Sequence, residues 1–155
     1  LSVPAPLFEL ARDRMEPPPP RVALGQALRG LATAAVDVSD GLLGDLGHVL
    51  RQSRVGATIQ ADLALPLLAS RTKAGSPADL PEEATQLDYV LAGGDDYELL
   101  FTAPASQRDA VAAAAASCAT PINRIGRIDA QFGVRVLDGA GREVPGRFLS
   151  FDHFA

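Results

Sequence analysis

Between Ala34 and Ser53 the hydrophobic period of the chain changes abruptly. Ala34 to Val38 is a short apolar run, which predicts a buried strand. From Leu42 onward, Leu42, Leu43, Leu46, Val49 and Leu50 recur every three to four residues, the spacing of one helix face. The join is Ser39-Asp40-Gly41, and it leaves no room for a loop. A strand must therefore deliver the chain directly into a helix N-terminus, with Ser39 or Asp40 as the expected N-cap. This strand-to-helix corner ties the rest of the chain to an architecture in which helices cover a sheet.

The flanking segments read in the same terms. Leu7 to Met15 predicts a short helix, ended by Pro17–Pro20, which favour an extended connector. Arg21 to Leu31 predicts a second helix, Val55 to Ala61 a strand, and Pro66 to Ser70 a short helical piece. Arg71 to Pro81 reads as a loop. Glu82 to Leu91 predicts a helix with Ala84, Leu87 and Val90 inward, ended by Gly93-Gly94. Tyr97 to Thr102 predicts a strand, and Ser106 to Ala119 an Ala-rich helix. Asn123 to Ile128, Gly133 to Leu137 and Arg147 to Leu149 predict later strands, the last two joined through Asp138-Gly139-Ala140-Gly141. The expected fold class is α+β, a mixed β-sheet covered by helices. Residues 1–30 form a lead-in arm and 31–155 one domain.

Composition narrows the function classes. Fourteen basic and 19 acidic residues leave a net charge of −5 with no basic cluster, which argues against nucleic acid. One cysteine, Cys118, excludes a disulfide framework or a cysteine zinc site, and it is expected as buried filler. No apolar run approaches the roughly 20 residues of a membrane span, and no signal peptide is visible. The chain begins at Leu1 and its single methionine is Met15, which leads us to expect further sequence upstream.

Two segments carry the chemistry. In Asp37-Val38-Ser39-Asp40-Gly41, Asp37 and Ser39 share one face of the expected strand, and Asp40 opens the helix. Oxygen ligands suit Mg²⁺ and a helix N-terminus suits phosphate. The plainer alternative is that Ser39 or Asp40 only caps the helix. Asp37 weighs against it, because a carboxylate within the apolar run ATAAVDV is costly unless paired or metal-bound. In Gly93-Gly94-Asp95-Asp96-Tyr97-Glu98, three acids follow a double glycine that permits positive φ and close backbone approach. Asp95 or Asp96 then faces a ligand, or both are solvated acids in a turn. His48 reads as a partly exposed helical residue rather than a ligand or base. His153 lies in an aromatic tail, FDHF, that docks on the core or closes a pocket. Neither histidine has a local partner for nucleophilic catalysis. No P-loop and no dinucleotide fingerprint occurs.

AVDVSDGLLGDLGHVL, followed some fifty residues later by LAGGDDYELLFTAP, resembles the C-terminal half of the thiamine-monophosphate kinase family. PPPPRVALGQALRGLA and FDHF also resemble that family's lead-in and tail, so the resemblance spans nearly the whole chain. The family sits in the wider aminoimidazole ribonucleotide synthetase-like superfamily. The resemblance implies transfer of the ATP γ-phosphoryl group to thiamine monophosphate, giving thiamine diphosphate, with several Mg²⁺ ions. It implies Asp37 and Asp40 as Mg²⁺ ligands, Ser39 as an ATP contact, and Asp95 and Phe151 as substrate contacts. Asp95 stands where the family usually has Glu, a shorter reach with the same charge. The resemblance further implies an N-terminal ATP-binding domain that is absent from this chain, a homodimer at full length, a cytoplasmic location, and no activity of this part alone. The alternatives are a noncatalytic module binding nucleotide or thiamine phosphate, and another ATP-dependent member of the superfamily.

Overall fold

The computed structural model describes residues 12, 16–68 and 81–145. The helix expected at Leu7–Met15 apart from Arg12, the strand at Arg147–Leu149, the loop 71–81 apart from Pro81, and the residues Phe151 and His153 lie outside the described residues.

The strand-to-helix corner forms, but its strand is not buried: alternate residues of β1 are exposed. β1 (Ala34–Asp37) runs through four residues, Val38 to Gly41, into an amphipathic twelve-residue helix, here called α2 (Leu42–Ser53). That helix buries Leu42, Leu46 and Leu50 on one face and ends at Arg54 in a left-handed conformation. Before it, α1 (Val22–Ala27) is shorter than its periodicity suggested, with turns replacing its last residues. β2 (Gly56–Gln60) leads directly into α3 (Ala61–Ala64) and a 3₁₀ turn, Leu65–Leu67. This helical piece starts earlier than Pro66, since Pro66 occupies the first turn of the 3₁₀ segment, where a missing N–H is tolerated. Then come α4 (Glu83–Ala92), β3 (Leu99–Thr102), α5 (Arg108–Ser117), β4 (Gly126–Asp129) and β5 (Gly133–Leu137). In α4, Leu87 and Val90 face inward as expected, but Ala84 is exposed and Gln86 and Leu91 take the inner positions. Gln86 is satisfied there by donating to the Pro81 carbonyl at 2.6 Å.

The fold is α+β, and its strands divide between two sheets. β1 and β3 form an antiparallel pair in which Asp37 faces Leu99 and Ala34 faces Thr102. The other sheet is mixed, in the order β4-β2-β5, with β2 antiparallel to β4 and parallel to β5. Residues 130–132 carry the chain across the end of β2 from one flank to the other. Gly56 permits this crossing, because a Cβ there would lie 1.9 Å from the Gln131 carbonyl oxygen. The expected turn at Asp138–Gly141 is present. It returns the chain beside β5 immediately, with Val144 N–H donating to the Val136 carbonyl at 2.9 Å.

Two apolar clusters hold these elements. The larger joins Val38, Leu42, Leu46 and Leu50 to Ile59, Leu87, Leu91 and Val136. The smaller joins Leu24 and Leu28 of α1 to Val111 and Ala115 of α5. The β1–β3 pair lies between them. Leu100 packs on the larger cluster, and its neighbours Leu99 and Phe101 pack on the smaller, as strand alternation requires. The Ala-rich composition of α5 reflects its surface position: only Val111 and Ala115 are buried. Cys118 at its end is half-buried and does not fill the core.

Candidate functional site

Backbone pairing brings the two chemistry-bearing segments together. The β1–β3 ladder continues beyond the strand ends in three further bonds. Val38 N–H donates to the Glu98 carbonyl at 2.9 Å, Tyr97 N–H to Val38 at 2.8 Å, and Asp95 N–H to Ser39 at 2.9 Å. Residues 38–39 and 95–98 are thus laced side by side at the N-terminus of α2. Gly94 makes the approach possible, since a Cβ there would lie 2.6 Å from the Ser39 carbonyl oxygen. On the opposite flank Gly41, at φ 113°, packs against the backbone of Ala92.

The positive φ angles of the second segment fall not on its glycines but on Asp95 (62°) and Tyr97 (52°). Two left-handed residues flanking Asp96 make a tight kink, and Asp95, Asp96 and Tyr97 are all exposed. The Tyr97 hydroxyl donates to Asp95 Oδ1 at 3.1 Å. That bond, followed by the charge of Asp95 and then desolvation and the charge of Asp37, raises the Tyr97 pKa above its ordinary value. Asp37 and Asp95 therefore present negative charge to one small region.

Two readings of the first segment are corrected. Asp37 is exposed, so strand burial places no desolvation cost on its carboxylate. The alternation that buries Val38 turns Asp37 outward. Nor does Ser39 or Asp40 cap the helix. The N-cap is Gly41, which has no side chain to offer, and no side-chain cap bond forms. Ser39 Oγ lies 3.3 Å from Asp40 Oδ1, and both residues are half-buried.

Sequence reading passed over Asp45. It sits one turn inside α2 and is only 5% exposed. Its Oδ2 accepts from Ser39 N–H at 2.9 Å and from Asp40 N–H at 3.1 Å. The available signal was an acid in the first turn of a helix, a pattern usually assigned to the helix dipole. Glu98 is also placed differently from its acidic neighbours. Arg21 donates to both of its carboxylate oxygens at 2.7 Å, Nε to Oε2 and a terminal nitrogen to Oε1. This bond, outweighing the opposing effect of burial, raises the pKa of Arg21. His48 is exposed, as expected, and lies 3.0 Å from a guanidinium nitrogen of Arg51.

The donor set near the corner is oxygen only, from Asp37, Ser39 and Asp40. Among the described residues no three or more His, Cys, Asp or Glu side chains gather around a common point. This fits Mg²⁺, which binds through one or two carboxylates and completes its shell with water and phosphate oxygens. It does not fit a closed protein cage.

The comparisons agree with the geometry. The family described as AIR synthase related protein, C-terminal domain, matches residues 7–139. Thiamine-monophosphate kinase of Salmonella typhimurium is 38% identical over 138 residues, 89% of this chain and 40% of that protein. The crystal structure of thiamine-monophosphate kinase from Stenotrophomonas maltophilia superposes with a TM-score of 0.70 at 45% identity, covering 88% of this chain and 41% of that one. A structure of AaThiL complexed with AMPPCP and TMP superposes with a TM-score of 0.65 at 26% identity, covering 99% and 43%. The chain spans about 40% of the length of the curated relatives it matches. The resemblance read from the two motifs is borne out by these relatives. The ladder that pairs the motifs and the profile that spans residues 7–139 lead to one conclusion: the chain belongs to the family of AIR synthase related proteins and carries their C-terminal domain.

Proposed function

We propose that the chain is the C-terminal part of a thiamine-monophosphate kinase, which transfers the ATP γ-phosphoryl group to thiamine monophosphate. The observation that carries this reading is the lacing of residues 38–39 to 95–98, which assembles an oxygen-donor corner and an acidic kink on one exposed edge. The relatives' name, and the complex of AaThiL with AMPPCP and TMP, supply the substrates.

In this reading Asp37 and Asp40 hold Mg²⁺, and Ser39 contacts ATP. Asp95 contacts thiamine monophosphate together with Phe151, which lies outside the described residues. Bound Mg²⁺ supplies neutralisation of the phosphate charge, which phosphoryl transfer needs more than covalent chemistry. The protein contributes orientation. The ladder sets the spacing between the Asp37–Asp40 corner and Asp95, whose carboxylate is held by the Tyr97 hydroxyl. The phosphate acceptor needs no general base, because a phosphate monoester is largely ionised near neutral pH. Residues 1–30 join residues 31–155 to a preceding ATP-binding domain in a cytoplasmic homodimer.

The test is phosphorylation of thiamine monophosphate with Mg²⁺ and ATP, by this chain and by the same chain behind its preceding domain. Turnover is expected only from the longer protein. Replacing Asp37 by Asn in it is expected to lower Mg²⁺-dependent turnover by about 100-fold or more, the loss of several kcal/mol of charge stabilisation. Absence of turnover from both folded proteins overturns the kinase reading. Retention of nucleotide binding alone would then favour the noncatalytic module.

A further inference from the structure

We propose that Asp45 is the positioning residue of the Asp37–Asp40 corner, an inference that rests on the metal and nucleotide reading of that corner. An acid one turn inside a helix points its Cβ back toward the N-terminus, and the carboxylate of Asp45 reaches the chain before the helix begins. It accepts from two successive backbone N–H groups, those of Ser39 and Asp40, on a single oxygen. A carboxylate that is 95% buried is costly unless charge-assisted bonds replace its hydration, and these two bonds do so.

The consequence concerns the neighbours. In an ordinary helix start, the Ser39 hydroxyl or the Asp40 carboxylate would turn inward to cap the first free N–H groups. Here the N-cap is Gly41, and the segment before it is tied down from beneath by Asp45. The main chain of Ser39 is then held from both sides. Its N–H is bound by Asp45, and its carbonyl accepts from Asp95 N–H at 2.9 Å. Asp45 touches no substrate. It fixes the peptide that carries Ser39 and Asp40, so its removal weakens cation binding without removing a ligand.

The test uses the ¹⁵N-labelled chain behind its preceding domain with Mn²⁺ as the probe, alone and with AMPPCP. Paramagnetic broadening is read at the amides of residues 37–41, together with their hydrogen exchange and the global unfolding midpoint. Asp45→Ala is expected to speed exchange at Ser39 and Asp40 by about 10- to 100-fold, the loss of charge-assisted bonds. It is also expected to raise the Mn²⁺ concentration for half-broadening by a comparable factor. Asp45→Asn keeps an acceptor oxygen and the shape of the side chain, so it guards against a misfolded Ala variant. It is expected to keep the midpoint close to that of the unchanged chain and to weaken Mn²⁺ broadening by about tenfold. A purely structural role would shift the midpoint and leave the Mn²⁺ dependence of the folded Asn variant unchanged, which would overturn the inference. Absence of broadening in the unsubstituted chain would overturn the metal assignment itself, and with it the part given to Asp45.

Discussion

The ionisation of Asp129 is strongly displaced, and the cause is visible around it. The Thr58 hydroxyl donates to Asp129 Oδ2, and Arg135 reaches the same oxygen at 2.8 Å. Arg127 donates to Oδ1 at 3.0 Å. These bonds, Thr58 foremost, lower the Asp129 pKa to about 2. Thr58 has no exposed surface, so its hydroxyl needs this acceptor as much as the carboxylate needs the donor. A depressed carboxylate contributes stability above its unfolded value, about 3.9, and loses it as pH falls through the folded value. Acid unfolding followed between pH 5 and about pH 2 should therefore show a stability decrease across the lower part of that window. Thr58→Val should shift the decrease to higher pH, because the largest lowering contribution is gone. A pH profile identical in the two proteins would show that the Thr58 bond does not lower the Asp129 pKa. None of this was legible in sequence, where Thr58 is one of several β-formers and Asp129 one of 19 acids.

At the scale of elements, the question is what keeps the acidic kink of residues 93–98 beside the corner. Part of the answer is the ladder. The rest is a bond across 77 residues of sequence, from Arg21 just before α1 to Glu98 just before β3. It ties the lead-in to the strand that carries the kink. Its geometry is bidentate, and both side chains are largely sheltered (19% and 36% exposed), so it is worth more than a surface pair. Arg21→Ala should destabilise the chain by about 1–2 kcal/mol, read as a lower urea midpoint. A double change with Glu98→Gln should cost less than the two single changes added together. Sequence reading grouped Glu98 with Asp95 and Asp96 as one acidic run. Strand alternation, and a partner 77 residues away, separated it from them. The elements themselves were largely legible where a period was strong. α2 forms along its three-to-four-residue period from Leu42, although its N-cap is Gly41 and not Ser39 or Asp40. The weakly periodic pieces moved: α1 shortened and the helix after β2 started earlier.

For the whole molecule, the two apolar clusters meet across the β1–β3 pair, so a core change on either side should be felt throughout. Leu46→Ala in the larger cluster and Leu28→Ala in the smaller should each cost about 2–5 kcal/mol, with the urea slope unchanged. A reduced slope in either variant would show that the clusters unfold as separate units. This joint core also explains which parts of the function were readable in advance. The order of residues alone determined the strand-to-helix corner, the oxygen character of its side chains and the glycine-acid segment that follows later. These are local properties, set by period, turn chemistry and residue type over a few neighbours. Only the tertiary structure decided that Ser39 and Asp95 share a hydrogen bond, that Asp37 faces outward, that Glu98 belongs to Arg21 and that Asp45 carries the corner from below. Each depends on which strand pairs with which and in what register. That choice is made by the burial of Leu99, Leu100 and Phe101 between two clusters assembled from distant segments, and no local stretch of sequence contains it.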